Sequence, residues 1–291
     1  ADSYDTQFIG NIAGYGNYSG GWAALYVGGG SSKHMRNMLF DGNVAAYNNT
    51  ASAIYIAEAS ASTAQRDMWI DHCRLVNNVA NCYTVYVNTN AANDNQLHIN
   101  DTVFDKNTVK YGSANGDASV LYVQYGNNVE MSNSSITNTQ GEGRALRLNG
   151  GGTLDADGNA VPATSTFTNV TITDNKNCYY TPVVLTNGNS TENDTWQRWS
   201  IQAQTTWKDC TITGNAASIT SPDSAGGFAV SKQNVTLDNC TISNNSGGNG
   251  GVYVSSPLTS YGFGDQQEGA VTFTNCDITG NHGTAARGAG G

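Results

Sequence analysis

The chain has 291 residues, of which 12% are charged, about half the share of an ordinary globular protein. Thirteen Lys and Arg stand against 23 Asp and Glu, and the formal net charge of -10 excludes the basic patch that nucleic acid or an anionic membrane rewards. The 34 glycines keep no three-residue period, which excludes collagen, and 38% hydrophobic residues with 15 tyrosines suffice for a core.

The elements come as one motif repeated along the chain. It opens at Thr6-Gln7-Phe8-Ile9-Gly10-Asn11 and returns at Met38-Leu39-Phe40, Cys73-Arg74-Leu75, Thr102-Val103-Phe104 and Ser134-Ser135-Ile136. Four more copies follow at Asn169-Val170-Thr171-Ile172, Asp209-Cys210-Thr211-Ile212, Asn239-Cys240-Thr241-Ile242 and Asn275-Cys276-Asp277-Ile278. The anchor positions 6, 38, 73, 102, 134, 170, 210, 240 and 276 are 29 to 40 residues apart. Each copy holds three short alternating stretches: a leading pair such as Met68 and Ile70 or Val235 and Leu237, the anchor, and a trailing stretch such as Ile54-Tyr55-Ile56 or Leu121-Tyr122-Val123. Alternation places every second side chain on one face, and three strands per repeat leave no room for a helix. The predicted fold is all-β: a right-handed parallel β-helix of about nine three-stranded coils, one solenoid domain over residues 1–291. Variable loops are expected at 149–164, 186–204 and 255–270, on one face of the rod.

Asn11, Asn43, Asn78, Asn107, Asn175, Asn215, Asn245 and Asn281 keep one register, broken by Thr139. Stacked about 4.8 Å apart, such asparagines can hydrogen-bond the copies above and below and satisfy a bent backbone.

Phe8-x-x-Asn11, Phe40-x-x-Asn43 and Phe104-x-x-Asn107 resemble the F-x-x-N repeat of chlamydial-type polymorphic membrane proteins, although most copies carry Ile or Leu for Phe. Gly226-Gly227-Phe228-Ala229-Val230 and Gly250-Gly251-Val252 resemble their paired G-G-A-[ILV] motif. More broadly the chain is similar to the right-handed parallel β-helix passengers of microbial surface adhesins. That resemblance implies a β-helix and an adhesive role at a cell surface. β-Helices also carry polysaccharide lyases and hydrolases, so the fold alone does not choose.

Cys73, Cys210, Cys240 and Cys276 occupy the anchor, which elsewhere holds Met38, Thr102, Ser134 and Val170. They read as small inward fillers, and parallel Cβ directions suit a disulfide poorly, so free thiols are expected. Cys82 and Cys178 lie three coils apart. No C-x-x-C or paired histidine points to a metal, and nothing calls for a cofactor. The sequons at Asn17, Asn48, Asn100, Asn133, Asn169, Asn189, Asn193, Asn234, Asn239 and Asn244 are glycosylation candidates, several of them created by the repeat itself. Few charges with many Asn, Thr and Gly favour an extracellular or cell-surface location. No apolar run is long enough to insert in a membrane, and a signal peptide is absent or already removed.

The middle residue of the trailing stretch is Tyr26, Tyr55, Tyr86 and Tyr122 in successive coils, an outward ladder able to stack on sugar rings or a neighbouring protein. Trp196 and Trp199 in a long insert join it as a candidate binding surface. Outward threonines such as Thr171/Thr173 and Thr211/Thr213 resemble the face of β-helical ice-binding proteins and equally suit an ordinary solvent-facing strand. An enzyme would need converging acids and bases. The best group is Asp71, His72 and Arg74 with Asp101 and Asp105 in the next coil, although these are turn and exposed-strand positions where Asp is common. Asp155-Ala156-Asp157-Gly158-Asn159 reads as a hairpin turn.

The leading expectation is a non-catalytic structural or adhesive rod. The alternative is a carbohydrate-active β-helix enzyme, a polysaccharide lyase or hydrolase. The expected partners are other copies stacked head to tail into a filament, or the rest of a larger surface protein, with glycans as a further candidate. Neither end of the repeat carries a recognisable cap, and an open coil invites association.

Overall fold

The computed structural model describes residues 4–13, 24–28, 32–46, 50–57, 67–88, 96–110, 118–124, 128–155, 157–179, 181–187, 201–218, 224–255 and 269–285. Three long parallel sheets run the length of the molecule, built of nine, eight and eight strands. The anchor sheet begins with Thr6–Ile9 and Met38–Asp41 and ends with Thr241–Ser243 and Asp277–Thr279. The leading sheet runs from Lys33–Arg36 to Val271–Thr274, and the trailing sheet from Leu25–Gly28 to Val252–Ser255. Within these three sheets each strand pairs with its copies in the adjacent coils, as in Thr171 with Thr211, Thr211 with Thr241 and Thr241 with Asp277. This is a parallel β-helix. Among the described residues the first and last coils each lack one of the three strands.

The core follows the alternation. Met68, Ile70, Leu75, Phe104, Ile212, Leu237 and Ile242 are buried inside the tube. Phe8 stacks on Phe40 with ring centroids 4.9 Å apart, and Phe167 stacks on Trp207 at 4.1 Å. A short additional sheet lies beyond the asparagines, pairing Ile12–Ala13, Val44–Ala45, Val79–Ala80 and Thr108–Val109.

The corners explain the composition. Every coil leaves the anchor strand, and every coil after the first enters it, through a residue with positive φ, a region open to Gly and, among other residues, chiefly to Asn and Asp. Before the anchor these are Asn37, His72, Asp101, Asn133, Asn169, Asp209, Asn239 and Asn275. Before the ladder asparagine they are Gly10, Gly42, Asn77, Lys106, Asn138, Asp174, Gly214, Asn244 and Gly280.

The asparagine ladder forms as expected. The Oδ1 of Asn78 accepts the backbone N–H of Asn43 at 3.0 Å and its Nδ2 at 2.9 Å, while Asn78 Nδ2 donates to Phe40 O at 3.0 Å and to Asn107 Oδ1 at 2.9 Å. Asn175, Asn215, Asn245 and Asn281 repeat the pattern. The ladder is directional: each side-chain carbonyl receives bonds from the coil before it.

Thr139 splits the ladder in two. Its N–H donates to Asn175 Oδ1 at 3.0 Å, but its buried hydroxyl has no partner and it has no carbonyl for Asn107. Thr139→Asn is therefore expected to stabilise the protein by about 1–2 kcal/mol, because it removes an unsatisfied buried group and adds the missing rung. Urea unfolding checks this; a lower midpoint than wild type would contradict it.

Candidate functional site

The acid and base residues do come together on the outside of the early coils. Asp71 Oδ1 lies 2.7 Å from His72 Nδ1 and accepts Asn100 Nδ2 at 3.0 Å, and its Oδ2 is 3.5 Å from Arg36 Nε. The other nitrogen of His72 is 3.3 Å from Asp101 Oδ2. Arg74 and Asp105 instead line a cleft of about 290 Å³ with Tyr4, Leu39, Asp41 and Lys106. Asp41 accepts Asn77 Nδ2 at 2.8 Å; Asp105 accepts Thr137 Oγ1 and Asn138 Nδ2, each at 2.8 Å. The five candidates thus divide between a corner and a strand face. Their carboxylates are held by side chains of neighbouring coils, the same Asx pairing that joins Asn239 to Asp209 farther along.

Two corners here depart from the rule. His72 has φ 52° and Lys106 has φ 54°, where other coils place mostly Asn, Asp or Gly. Lys106→Asn is expected to stabilise the fold by about 1 kcal/mol by easing the left-handed conformation. Thermal melting tests it, and an unchanged or lower midpoint would remove the strain argument.

The tyrosine ladder is built, with a correction. Tyr26, Tyr55, Tyr86 and Tyr122 occupy one column in register. Only Tyr26 is open, at 47% exposed; Tyr55, Tyr86 and Tyr122 are buried in a second apolar cluster with Ala51, Cys82 and Tyr83. Tyr86 and Tyr122 stack at 5.3 Å, and Tyr55 meets Tyr86 edge-on at 5.0 Å. The phenol tips are taken: Asn88 donates to Tyr55 at 3.2 Å, Asn149 to Tyr122 at 2.9 Å, and Tyr86 donates to Gln124. Burial pushes the Tyr55 phenol above its ordinary value. In the next coil Arg147 replaces tyrosine and lies over the Tyr122 ring, 5.4 Å from its centroid. Rings that face one another along the rod, with occupied tips, do not present a continuous stacking surface to a sugar. Alternation says which way a side chain leaves its strand, not what covers it.

Trp196 and Trp199 lie outside the described residues, as do the sequons Asn17, Asn48, Asn189 and Asn193. Asn133, Asn169, Asn239 and Asn244 are exposed, and all four are positive-φ corner residues. Asn100 and Asn234 are half-buried. The corner requirement for Asn, followed by an inward residue and then an outward Ser or Thr, produces the sequon. Residues 149–164 contain an antiparallel hairpin, Gly152–Leu154 with Ala160–Pro162, turning through Gly158 at φ 81°.

Two features escaped the sequence reading. His34, Trp69 and His98 stack on the leading sheet at 3.8 and 5.0 Å, and His98 Nδ1 is 3.0 Å from Glu130 Oε2. On the same outer face Thr166, Thr206, Thr236 and Thr272 form a second hydroxyl column beside the threonines of the anchor sheet. In the anchor column Thr173 and Thr213 hydroxyls donate to the carbonyls of Thr213 and Ser243 at 2.9 and 2.8 Å, so those hydroxyls serve the next coil.

The anchor thiols are more than fillers. Cys73, Cys210, Cys240 and Cys276 each have two backbone carbonyls within reach of the one S–H, for Cys210 those of Phe167 at 3.4 Å and Lys208 at 3.1 Å. The Thr102 hydroxyl likewise has two, and the Ser134 hydroxyl donates to Ser132 O at 2.6 Å. The position selects a small donor that satisfies the corner.

All six cysteines are free. Burial pushes Cys178 up to about 12 and Cys73 up to about 11. Cys210 and Cys240 occupy the same column one coil apart: their coupling, and then burial, pushes Cys210 upward, while the same coupling lowers Cys240. Cys276 is the one thiol left half-buried, so it alone is expected to react rapidly with a thiol reagent in the native state, and all six after unfolding. Fast native titration of a second thiol would contradict this packing.

At the two ends the core columns open to solvent. Phe8 is half-buried where Phe40 is fully enclosed; Phe273 is 40% exposed where Leu237 is fully enclosed. Cys276 and Ile278 are half-buried where Cys240 and Ile242 are enclosed. Among the described residues no group of three or more His, Cys, Asp or Glu is arranged to hold a metal ion. No family model matches the chain, and neither the curated proteins nor the solved structures include a match.

Proposed function

We propose that the chain is a non-catalytic structural and adhesive rod of an extracellular or cell surface. The observation that carries this reading is a self-satisfied shaft: buried asparagines, corner thiols and hydroxyls and outer carboxylates are largely taken up by neighbouring coils rather than held ready for a substrate. The low charge, the resemblance to β-helix surface adhesins and the exposed sequons support the location, with glycans as decoration or ligand.

A carbohydrate-active enzyme is the second reading, and the cleft around Arg74 favours it. Asp41 and Asp105 there stand two rungs apart, with Val76 between them in the register. Two rungs are about 9.6 Å, near the upper end of the separation used by inverting glycosidases. Incubation with a panel of plant and mucosal polysaccharides separates the readings. The rod leaves chain length unchanged; release of new sugar ends that disappears in Asp105→Asn would replace the rod with the enzyme.

A further inference from the structure

Two positions in neighbouring coils break the repeat in the same way. The corner that leads to the ladder asparagine holds Gly, Asn or Asp in every coil but one, where it holds Lys106 at φ 54°. The outward column of the anchor sheet runs through Leu39, Val103 and Ser135 to the threonines at 171, 211 and 241, and among the described residues Arg74 is its one cation. Both cations line one cleft of about 290 Å³. Neither side chain makes a hydrogen bond or an ion pair among the described residues. A lysine in a left-handed corner costs strain, and strain held against the preference of the fold concentrates at functional positions.

The rest of the cleft says what the cations face. Its apolar lining is Val76, which is buried, and Leu39, which is half-buried. Asp41 and Asp105 line it as well, and each has one oxygen taken by side chains, Asp41 by Asn77 and Asp105 by Thr137 and Asn138. Their second oxygens accept no hydrogen bond among the described residues. A carboxylate accepts and cannot donate, so these oxygens call for hydroxyl donors. Arg74 and Lys106 call for an anion, and the guanidinium fork for a planar one. We propose that the cleft binds a carboxylated sugar residue at the end of a glycan. Its carboxylate lies on Arg74 and Lys106, its hydroxyls on Asp41 and Asp105, and its C–H face on Val76 and Leu39. The inference rests on the adhesive reading of the rod and names its ligand class. The volume is near the lower end of ligand pockets, which suits one sugar unit rather than a length of chain. The two cations and two carboxylates of the lining cancel, and the chain carries a net charge of -10, so a polyanion is repelled where a single acid group is not. An acidic peptide would set further carbonyl and carboxylate acceptors against Asp41 and Asp105.

Titration of the isotope-labelled chain with methyl β-glucuronide, followed by amide NMR, tests the site. Saturable shifts are expected around Arg74, Asp105 and Lys106. Methyl β-glucoside, which lacks the carboxylate, and acetate, which lacks the sugar, are each expected to bind at least about tenfold more weakly. Arg74→Thr and Lys106→Asn are each expected to weaken the glucuronide by about tenfold or more. Both take a residue that the same column carries in other coils. Lys106→Asn is also the variant expected to melt higher than wild type, so its loss of affinity is not a loss of fold. Thermal melting verifies both variants. Absence of saturable binding, equal affinity for the glucoside or for acetate, or either variant binding as tightly as wild type overturns the inference. None of these outcomes bears on polysaccharide cleavage, which is assayed separately on the wild type and decides the underlying reading.

Discussion

Asn215→Ala is expected to cost about 3–5 kcal/mol, a large share of the stability of an ordinary domain. Asn215 Oδ1 accepts Asn175 N–H at 3.1 Å and Asn175 Nδ2 at 2.9 Å; its Nδ2 donates to Ile172 O at 2.9 Å and to Asn245 Oδ1 at 3.0 Å. Alanine removes all four bonds at once, in a place sealed from water, so the groups left behind stay unpaired. Nearest-neighbour coupling in a solenoid localises the damage to the adjoining coils. Hydrogen exchange is then expected to accelerate first around Asn175, Asn215 and Asn245. Asn11→Ala, with an open Oδ1 in the end coil, is expected to cost less than about 1 kcal/mol. Urea unfolding of the two variants reads the difference, and equal costs would show that the ladder does not hold the coils.

Trp207→Ala carries the other large effect, about 3–5 kcal/mol. Trp207 is fully enclosed between Phe167, stacked at 4.1 Å, and Phe228, edge-on at 5.4 Å. Its indole N–H is buried without a partner. A residue that fills the space without that N–H recovers part of the loss. Leu237 occupies the same column one coil on, so Trp207→Leu is expected to cost only about 1–2 kcal/mol. If leucine is as damaging as alanine, the column is not the packing unit described.

The sequence exposed the fold because the repeat is written in side chains with one job each. Ile212, Ile242 and Ile278 share an offset across coils of different length, and they stack in the anchor sheet. The break at Thr139 was visible for the same reason. The donor role of the anchor was hidden, because Cys, Thr and Ser look alike as small residues until the corner carbonyls are placed. The tyrosines were correctly assigned outward and wrongly expected to be open. Their tips are closed by Asn88, Gln124 and Asn149, near the ends of the strands. The His34–Trp69–His98 stack was missed because its members are 35 and 29 residues apart and the column changes from His to Trp and back. Aligning the outward middle positions of Lys33–Arg36, Asp67–Asp71 and Gln96–Asn100 would have found it.

The candidate site was the least legible part. Asp71, His72 and Asp101 do meet, but at corners whose geometry already favours Asp and Asn. Sequence shows which acids are near one another; only the partners show whether they are poised or occupied.

A crystal structure of the purified chain tests the central claim most directly. The expected result is three parallel sheets with Asn43, Asn78 and Asn107, and again Asn175, Asn215 and Asn245, stacked about 4.8 Å apart and bonded carbonyl to amide inside one turn. These asparagines on solvent, or coils paired out of this register, would contradict it.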